Sequence, residues 1–88
     1  MTPEEFETEL RAVGYREFVV VEWPANGKLE AHTHPFESRT LILSGEITLT
    51  VDGCETRYRA GEVFHLLRNT LHKERYGPAG VRYLVGRK

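Results

Sequence analysis

The clearest pattern along the chain is the alternation of polar and apolar residues at 46–51, which predicts a half-buried β-strand. Asp52 and Gly53 follow it directly, and this dipeptide favours a two-residue hairpin turn because both central positions of that turn need positive φ angles. Residues 55–59 are therefore predicted to pair back on the same strand.

Most of the remaining chain consists of short segments rich in valine and aromatic residues, separated by glycine, proline and asparagine. They predict strands at residues 16–23, 39–43, 63–67, 71–75 and 81–85, with turns at residues 44–45, 60–61, 68–70 and 77–80. Strands that recur about every 8–12 residues favour a β-sandwich or barrel. The predicted fold class is therefore all-β.

A helix is predicted only at the N-terminus, where Thr2 is a suitable N-cap. Phe6, Leu10 and Val13 follow at spacings of four and three, which places them on one face. Gly14 suits the C-terminal cap. We expect this short helix to lie across the mouth or the side of the barrel.

The length and composition fit one folded domain. The 88 residues are 40% apolar and 28% charged, without a low-complexity segment. We expect a single domain at residues 1–88, with the helix at 1–14 and the β-barrel at 15–88.

The charge pattern and the absence of long apolar runs exclude two classes of partner. The formal net charge is −1 and the charged residues are of mixed sign, so the basic surface on which nucleic-acid binding depends is missing. No apolar run approaches the roughly 20 residues that span a bilayer, and the acidic N-terminus lacks the features of a signal peptide. Cys54, the only cysteine, cannot form an internal disulfide. We therefore expect a cytoplasmic protein without nucleic-acid or membrane partners.

His32 and His34 are the residues with the clearest potential for chemistry. In a strand they project to the same face, with Cα atoms about 6.6 Å apart at a rise of roughly 3.3 Å per residue. Metal–nitrogen bonds of about 2.0–2.1 Å need the ring nitrogens closer together, which a concave strand wall would achieve. Pro35 bends the chain directly afterwards, as suits the rim of a barrel. Taken alone, the pair is also compatible with two surface histidines.

The order of residues around this pair resembles the two consensus motifs of the cupin superfamily. The matching positions are Gly27, His32, His34, Gly45, Gly61 and His72. The resemblance covers roughly residues 27–72. It implies a small cupin-type β-barrel, also described as a double-stranded β-helix or jelly roll, in which His72 joins the two earlier histidines in holding one metal ion.

The chain departs from these motifs at positions that affect the ligand set. In the first motif six residues usually separate a glutamate from the closing glycine; this chain has Ser38 at that position, and Glu37 lies one residue earlier. Strict alternation turns Glu37 away from the histidines and Ser38 towards them, but Pro35 could shift that register. Glu37 therefore remains a candidate metal ligand. In the second motif Asn69 replaces a glycine, and asparagine tolerates the left-handed conformation that the turn requires.

A site of three neutral imidazoles suits zinc, iron, nickel, manganese or copper, and suits calcium or magnesium poorly. It leaves coordination positions open, so we expect a metal-dependent enzyme, an oxygenase, isomerase or lyase, acting on a small organic molecule. The alternative is a non-catalytic barrel that binds or senses a small ligand or a metal. A third hypothesis, a barrel whose histidines no longer bind an ion, rests on Ser38 standing in the glutamate position. The catalytic residues, the substrate and the identity of the metal stay open.

Other residues are interpreted mainly as structural. His65 is interpreted as an outer-face or strand-end histidine that could instead be an acid or base in the pocket. Arg39 is interpreted as a solvated charge that could instead pair with a substrate carboxylate. Tyr58, Tyr76 and Tyr83 are interpreted as packed aromatics that could also line a pocket mouth. A barrel this small leaves an apolar outer face, and we expect two copies of the chain to cover it as a homodimer, as small cupins generally do.

Overall fold

Six antiparallel β-strands follow one short helix in the computed structural model, which describes all residues from 1 to 88. The helix is α1 (Pro3–Ala12), and the strands are β1 (Glu17–Trp23), β2 (Lys28–His32), β3 (Ser38–Val51), β4 (Cys54–Arg59), β5 (Val63–Leu66) and β6 (His72–Arg87). The predicted all-β fold with a short N-terminal helix is confirmed. Neither the length nor the composition of the one helix would let it span a bilayer.

Two long strands organise the sheet. β3 and β6 pair with each other along most of their lengths. β1 pairs with the last part of β6 and β2 with its first part, whereas β5 pairs with the start of β3 and β4 with its end. The sheet does not close completely. β3 and β6 nevertheless run through both halves of the sheet, so side chains from β2, β3 and β6 line one common interior.

Both long strands bend where the sequence predicted turns. Gly45 in β3 and Gly80 in β6 have φ angles of 75° and 74°. A Cβ atom on Gly45 would overlap the carbonyl oxygen of Gly80, so only glycine fits this close approach of the two strands. The prediction of separate strands on either side of residues 44–45 and 77–80 is therefore wrong, because β3 and β6 each continue through a corner at which their pairing shifts register.

The short turns at the other strand ends agree with the sequence pattern. Asp52 and Gly53 have φ angles of 51° and 77° and join β3 to β4 in the predicted hairpin. Asn69 has a φ angle of 62°, which is the left-handed conformation expected at that position. Its turn leads directly into β6, so it places His72 at the start of that strand.

The buried apolar side chains form two clusters. The interior cluster contains Ile42, Ile47, Leu49, Phe64, Leu66, Tyr76 and Val81. The second cluster contains Phe6, Leu10, Tyr15, Leu41 and Leu84. Leu41 and Ile42 are neighbours on β3 and belong to different clusters, so the second cluster holds α1 against the outer side of the sheet. Val13, expected on the buried helix face, is 52% exposed. Thr2 caps the helix in a reciprocal capping box with Glu5.

Candidate metal centre

Three histidines meet where β2 ends and β6 begins. His32 is the last residue of β2 and His72 the first of β6, and the two are cross-strand partners. His34 follows two residues after His32. The ring centroids lie 4.3 Å apart for His32 and His72, 4.8 Å for His32 and His34, and 5.0 Å for His34 and His72. The structure thus brings the three histidines of the sequence analysis to one point.

The same cluster contains a fourth side chain, Glu74, which is not among the site residues predicted from the sequence. It lies two residues after His72 on β6, so the alternation of a strand directs both side chains to one side. Its Oε2 lies 3.4 Å from Nε2 of His72 and 3.6 Å from Nε2 of His32. The ligand atoms of the four residues all lie within 4.8 Å of one another. The signal for Glu74 is the same spacing of two that groups His32 with His34.

Glu37 does not join this cluster. Its Oε2 accepts a hydrogen bond from the Tyr15 hydroxyl at 2.9 Å and lies 2.7 Å from Nε2 of His65. Ser38, one residue later, is buried and lines the same cavity as the histidines. Strict alternation therefore holds through this stretch, and Pro35 does not shift the register. The expectation of Glu37 as a metal ligand is wrong because its side chain points to the outer side of the sheet.

Backbone carbonyl groups fix the orientation of two histidine rings. Nδ1 of His32 lies 2.6 Å from the carbonyl oxygen of Glu30, and Nδ1 of His72 lies 2.9 Å from that of Thr70. A carbonyl oxygen only accepts hydrogen bonds, so Nδ1 carries a proton in each ring, and in the neutral imidazole this tautomer places the lone pair on Nε2. Such outer hydrogen bonds are typical of metal-ligating histidines. Both Nε2 atoms face the shared point.

The geometry of the cluster fits a metal ion better than a set of direct hydrogen bonds. Nε2 of His72 is buried and has no hydrogen-bond partner. A buried polar atom left in this state costs about 1–3 kcal/mol. The 3.4 Å and 3.6 Å separations from Oε2 of Glu74 exceed hydrogen-bond length. They approach the roughly 3.3 Å between ligand atoms of a tetrahedral ion with bonds of about 2.0–2.1 Å.

The surroundings of the third histidine favour its uncharged form. Burial lowers the pKa of His34, and the neighbouring His72, His32 and Arg87 lower it further. The His34 ring also stacks on Phe36, with centroids 4.9 Å apart and planes 14° from parallel. An uncharged imidazole has a lone pair to donate, so His34 is ready to act as a ligand near neutral pH.

A row of aromatic side chains holds the Glu74 carboxylate in place. The Tyr76 hydroxyl donates to Oε1 of Glu74 at 3.2 Å, and the Tyr76 ring stacks on Trp23 with centroids 5.5 Å apart. Trp23 in turn donates from Nε1 to the Tyr83 hydroxyl at 3.0 Å. Burial, with the Glu74 charge adding to it, raises the pKa of Tyr76, so this hydroxyl keeps the proton that it donates. Oε2 is thereby left free to face the histidines.

A cavity of about 150 Å³ adjoins the cluster. Aromatic and aliphatic side chains from β1, β2, β5 and β6 form most of its wall. Ser38, Thr40 and Arg87 are the polar lining residues outside the cluster. Of the tyrosines considered from the sequence, Tyr83 lines the cavity, whereas Tyr58 packs on Phe64 with ring centroids 5.1 Å apart.

Comparison with known proteins identifies the family and the fold. The family model described as the cupin domain matches residues 19–84. No curated protein matches the chain significantly. Solved structures with the same fold include one of unknown function from Rhizobium leguminosarum bv. viciae, with a TM-score of 0.75 and 14% identity over 80% of this chain and 66% of that one.

Two further structures are described as cupins. An RmlC-like cupin from Shewanella frigidimarina has a TM-score of 0.69 and 18% identity over 80% of this chain and 63% of its own. The Cnp3 cupin domain of Schizosaccharomyces pombe has a TM-score of 0.69 and 25% identity over 81% of this chain and 55% of its own. The chain thus spans between 55% and 66% of the length of these three structures. Because the family match extends over most of the strands described above, the chain belongs to the cupin family.

Proposed function

We propose that the protein binds one divalent transition-metal ion through His32, His34, His72 and Glu74. The observation that carries the proposal is the buried, unpartnered Nε2 of His72, which faces the Glu74 carboxylate across a gap too long for a hydrogen bond. Three imidazoles and one carboxylate suit zinc, iron, nickel, manganese or copper. The extra carboxylate balances one unit of the ion's charge in a buried setting, where an unpaired charge is costly.

We further propose that the site is an active site for a small organic molecule, in an oxygenase, isomerase or lyase reaction. When bound, the ion would supply Lewis-acid activation of an oxygen ligand and, if it is iron, oxygen chemistry. The chain's own residues perform the binding and the exclusion of water. The apolar wall of the 150 Å³ cavity dehydrates a ligand about the size of benzene, and the row from Tyr83 to Tyr76 keeps Glu74 in place.

The presence of Glu74 also supports a second candidate, a non-catalytic binding or sensing barrel. Four protein ligands complete the coordination of a tetrahedral zinc ion, which is the pattern of closed structural sites. The same four ligands leave two positions open on a six-coordinate iron, manganese or nickel ion. The identity of the resident metal therefore separates the two candidates.

Metal analysis of protein purified without a histidine tag tests the site. The wild-type chain should carry about one equivalent of metal, and His72→Ala should lose it while retaining the β-sheet circular dichroism spectrum. His65→Ala is the matched control, because it removes the one histidine that lies outside the cluster. Full metal occupancy in His72→Ala would show that the ligand assignment is wrong.

A turnover screen then separates enzyme from binder. Protein loaded with iron, manganese, nickel or zinc is incubated with a panel of small acids, sugars and phenols, and products are followed by mass spectrometry. Turnover that His72→Ala abolishes and His65→Ala retains supports the enzyme. Stable zinc binding, without turnover of any compound by any metal form, supports the binding module.

A further inference from the structure

Arg87 is the one cationic side chain inside the cavity. Tyr83, Val85 and Arg87 alternate along the last part of β6, and all three line the same cavity as the histidines. Apart from Glu74, Arg87 is the only lining residue with a formal charge at neutral pH when the histidines are neutral. It lies on a wall that is otherwise mostly apolar, so its charge has a strong effect on what the cavity can hold.

The guanidinium group of Arg87 has no acidic partner in the protein. None of the nine ion pairs includes it, although Arg75 and Arg82 on the same strand each pair with a glutamate. Its Nε is buried without a hydrogen-bond partner, and its Cζ lies over the Phe36 ring at 4.9 Å. Its cross-strand neighbour Glu17 lies on the same face of the sheet but forms no ion pair with it. The Nε donor of Arg87 therefore remains without an acceptor beside the face of the Phe36 ring.

Arg87 and Phe36 also line a second cavity of about 300 Å³ on the outer side. Arg16 and Lys88 lie in its wall, opposed by the single acid Glu17. The boundary between the two cavities therefore carries an excess of positive charge, on a chain whose net charge is −1. Such a local field raises the concentration of anions near this boundary.

We propose that the site takes small organic acids, and that Arg87 sets this specificity by pairing with the carboxylate of the ligand. The fork of the guanidinium group matches a carboxylate in a bidentate hydrogen-bonded pair. The apolar body of the acid lies in the cavity of about 150 Å³ between Arg87 and the histidines. The chemistry done on the acid rests on the proposed function, whereas recognition of the carboxylate depends on Arg87 alone.

Titration with butyrate, and with the neutral butyramide as its control, tests this specificity. Binding is followed by the backbone ¹H–¹⁵N resonances of the cavity-lining residues Thr40 and Val85, which every variant retains, in metal-free and in zinc-loaded protein, and zinc content is measured in each sample. Butyrate should shift these resonances in both forms of the wild type and butyramide should not. Arg87→Gln should weaken butyrate binding by roughly 10-fold or more. Arg87→Lys, which keeps the charge but not the fork, should fall between the two.

Arg82→Gln is the matched control, since it removes a charge from the same strand at an exposed ion pair with Glu22. It should bind butyrate as the wild type does. Equal butyrate affinity in the wild type and Arg87→Gln, with zinc still bound, overturns the inference and leaves the metal site standing. If butyrate binding depends on Arg87 but the wild-type protein does not hold zinc, the carboxylate site is real and the proposed metal function fails.

Discussion

Replacement of Glu74 by glutamine is expected to change the free energy of unfolding in opposite directions with and without metal. In the metal-free protein, Glu74 is 8% exposed, and Tyr76 is its only hydrogen-bond donor. Burial of a charged carboxylate with so few partners is unfavourable. A glutamine keeps the bond from Tyr76 and offers an N–H group to the unpartnered Nε2 of His72. We expect Glu74→Gln to stabilise the metal-free protein by about 1–2 kcal/mol.

With metal present, the order of stability should reverse. An ion at 100 times its dissociation constant stabilises the wild type by about 2.7 kcal/mol, which raises the melting temperature of a domain this size by about 10–20 °C. Loss of the anionic ligand should weaken the affinity by about 100-fold, at the upper end of the range known for supporting residues. At the same ion concentration the variant then gains only about 0.4 kcal/mol.

Thermal and urea unfolding, each with chelator and with saturating zinc, measure both effects. Glu55→Gln is the control, because Glu55 forms an exposed ion pair with Arg75 and should contribute about 0–1 kcal/mol with or without metal. The reasoning is refuted if Glu74→Gln destabilises the metal-free protein and zinc adds nothing to the wild type. Glu74 would then be the structural ion-pair partner of protonated histidines, and the cluster would not be a metal site.

Three other predictions concern the hydrogen bonds of Glu37, the sheet corner and assembly. Hydrogen bonds from His65 and Tyr15 hold the pKa of Glu37 below its usual range, with the nearby Lys88 adding to this. The ionised form therefore stabilises the fold above the ordinary carboxyl pKa, and this contribution is lost as the pH falls through the lowered value. Melting temperatures from about pH 6 to pH 2 should fall more steeply for the wild type than for Glu37→Gln, and parallel curves would contradict this. Gly45→Ala should unfold the domain or lower its melting temperature by more than 10 °C, roughly the effect of 2–3 kcal/mol, because the added Cβ would overlap the facing strand. An unchanged melting temperature would show that the backbone at the corner can move to accommodate the Cβ. Sedimentation velocity at micromolar concentration should show a homodimer, and a monomer would refute that expectation.

The sequence pattern predicts the elements of the fold better than their connections. Three features depend only on neighbouring residues: the alternation of polar and apolar residues at 46–51, the Asp52–Gly53 hairpin and the capped helix. Each has its expected form in the structure. The corner of β3 and β6 is not local, because it depends on Gly45 and Gly80 meeting from distant parts of the chain. Ordinary turns also contain glycine, so a rule that considers only neighbouring residues assigns Gly45 and Gly80 to turns.

Some of the site residues can likewise be identified from local sequence patterns, whereas others depend on contacts between distant segments. Alternation through residues 36–38 into β3 correctly separates Ser38 from Glu37, and Pro35 does not break that rule. Glu74 has the right spacing from His72, but nothing in the sequence sets it apart from the other glutamates on strands. Only the pairing of β2 with β6 brings the Glu74 carboxylate beside the histidines and buries it.

The distribution of the four side chains over two strands gives the site a mechanical consequence. His32 and His34 belong to β2 and the segment after it, whereas His72 and Glu74 belong to β6. β2 is short, and its pairing with β6 is interrupted by an irregularity between Leu29 and His32. A bound ion would therefore cross-link two strands whose direct pairing is short and irregular. Loading and removal of the ion would tighten and loosen the contact between β2 and β6.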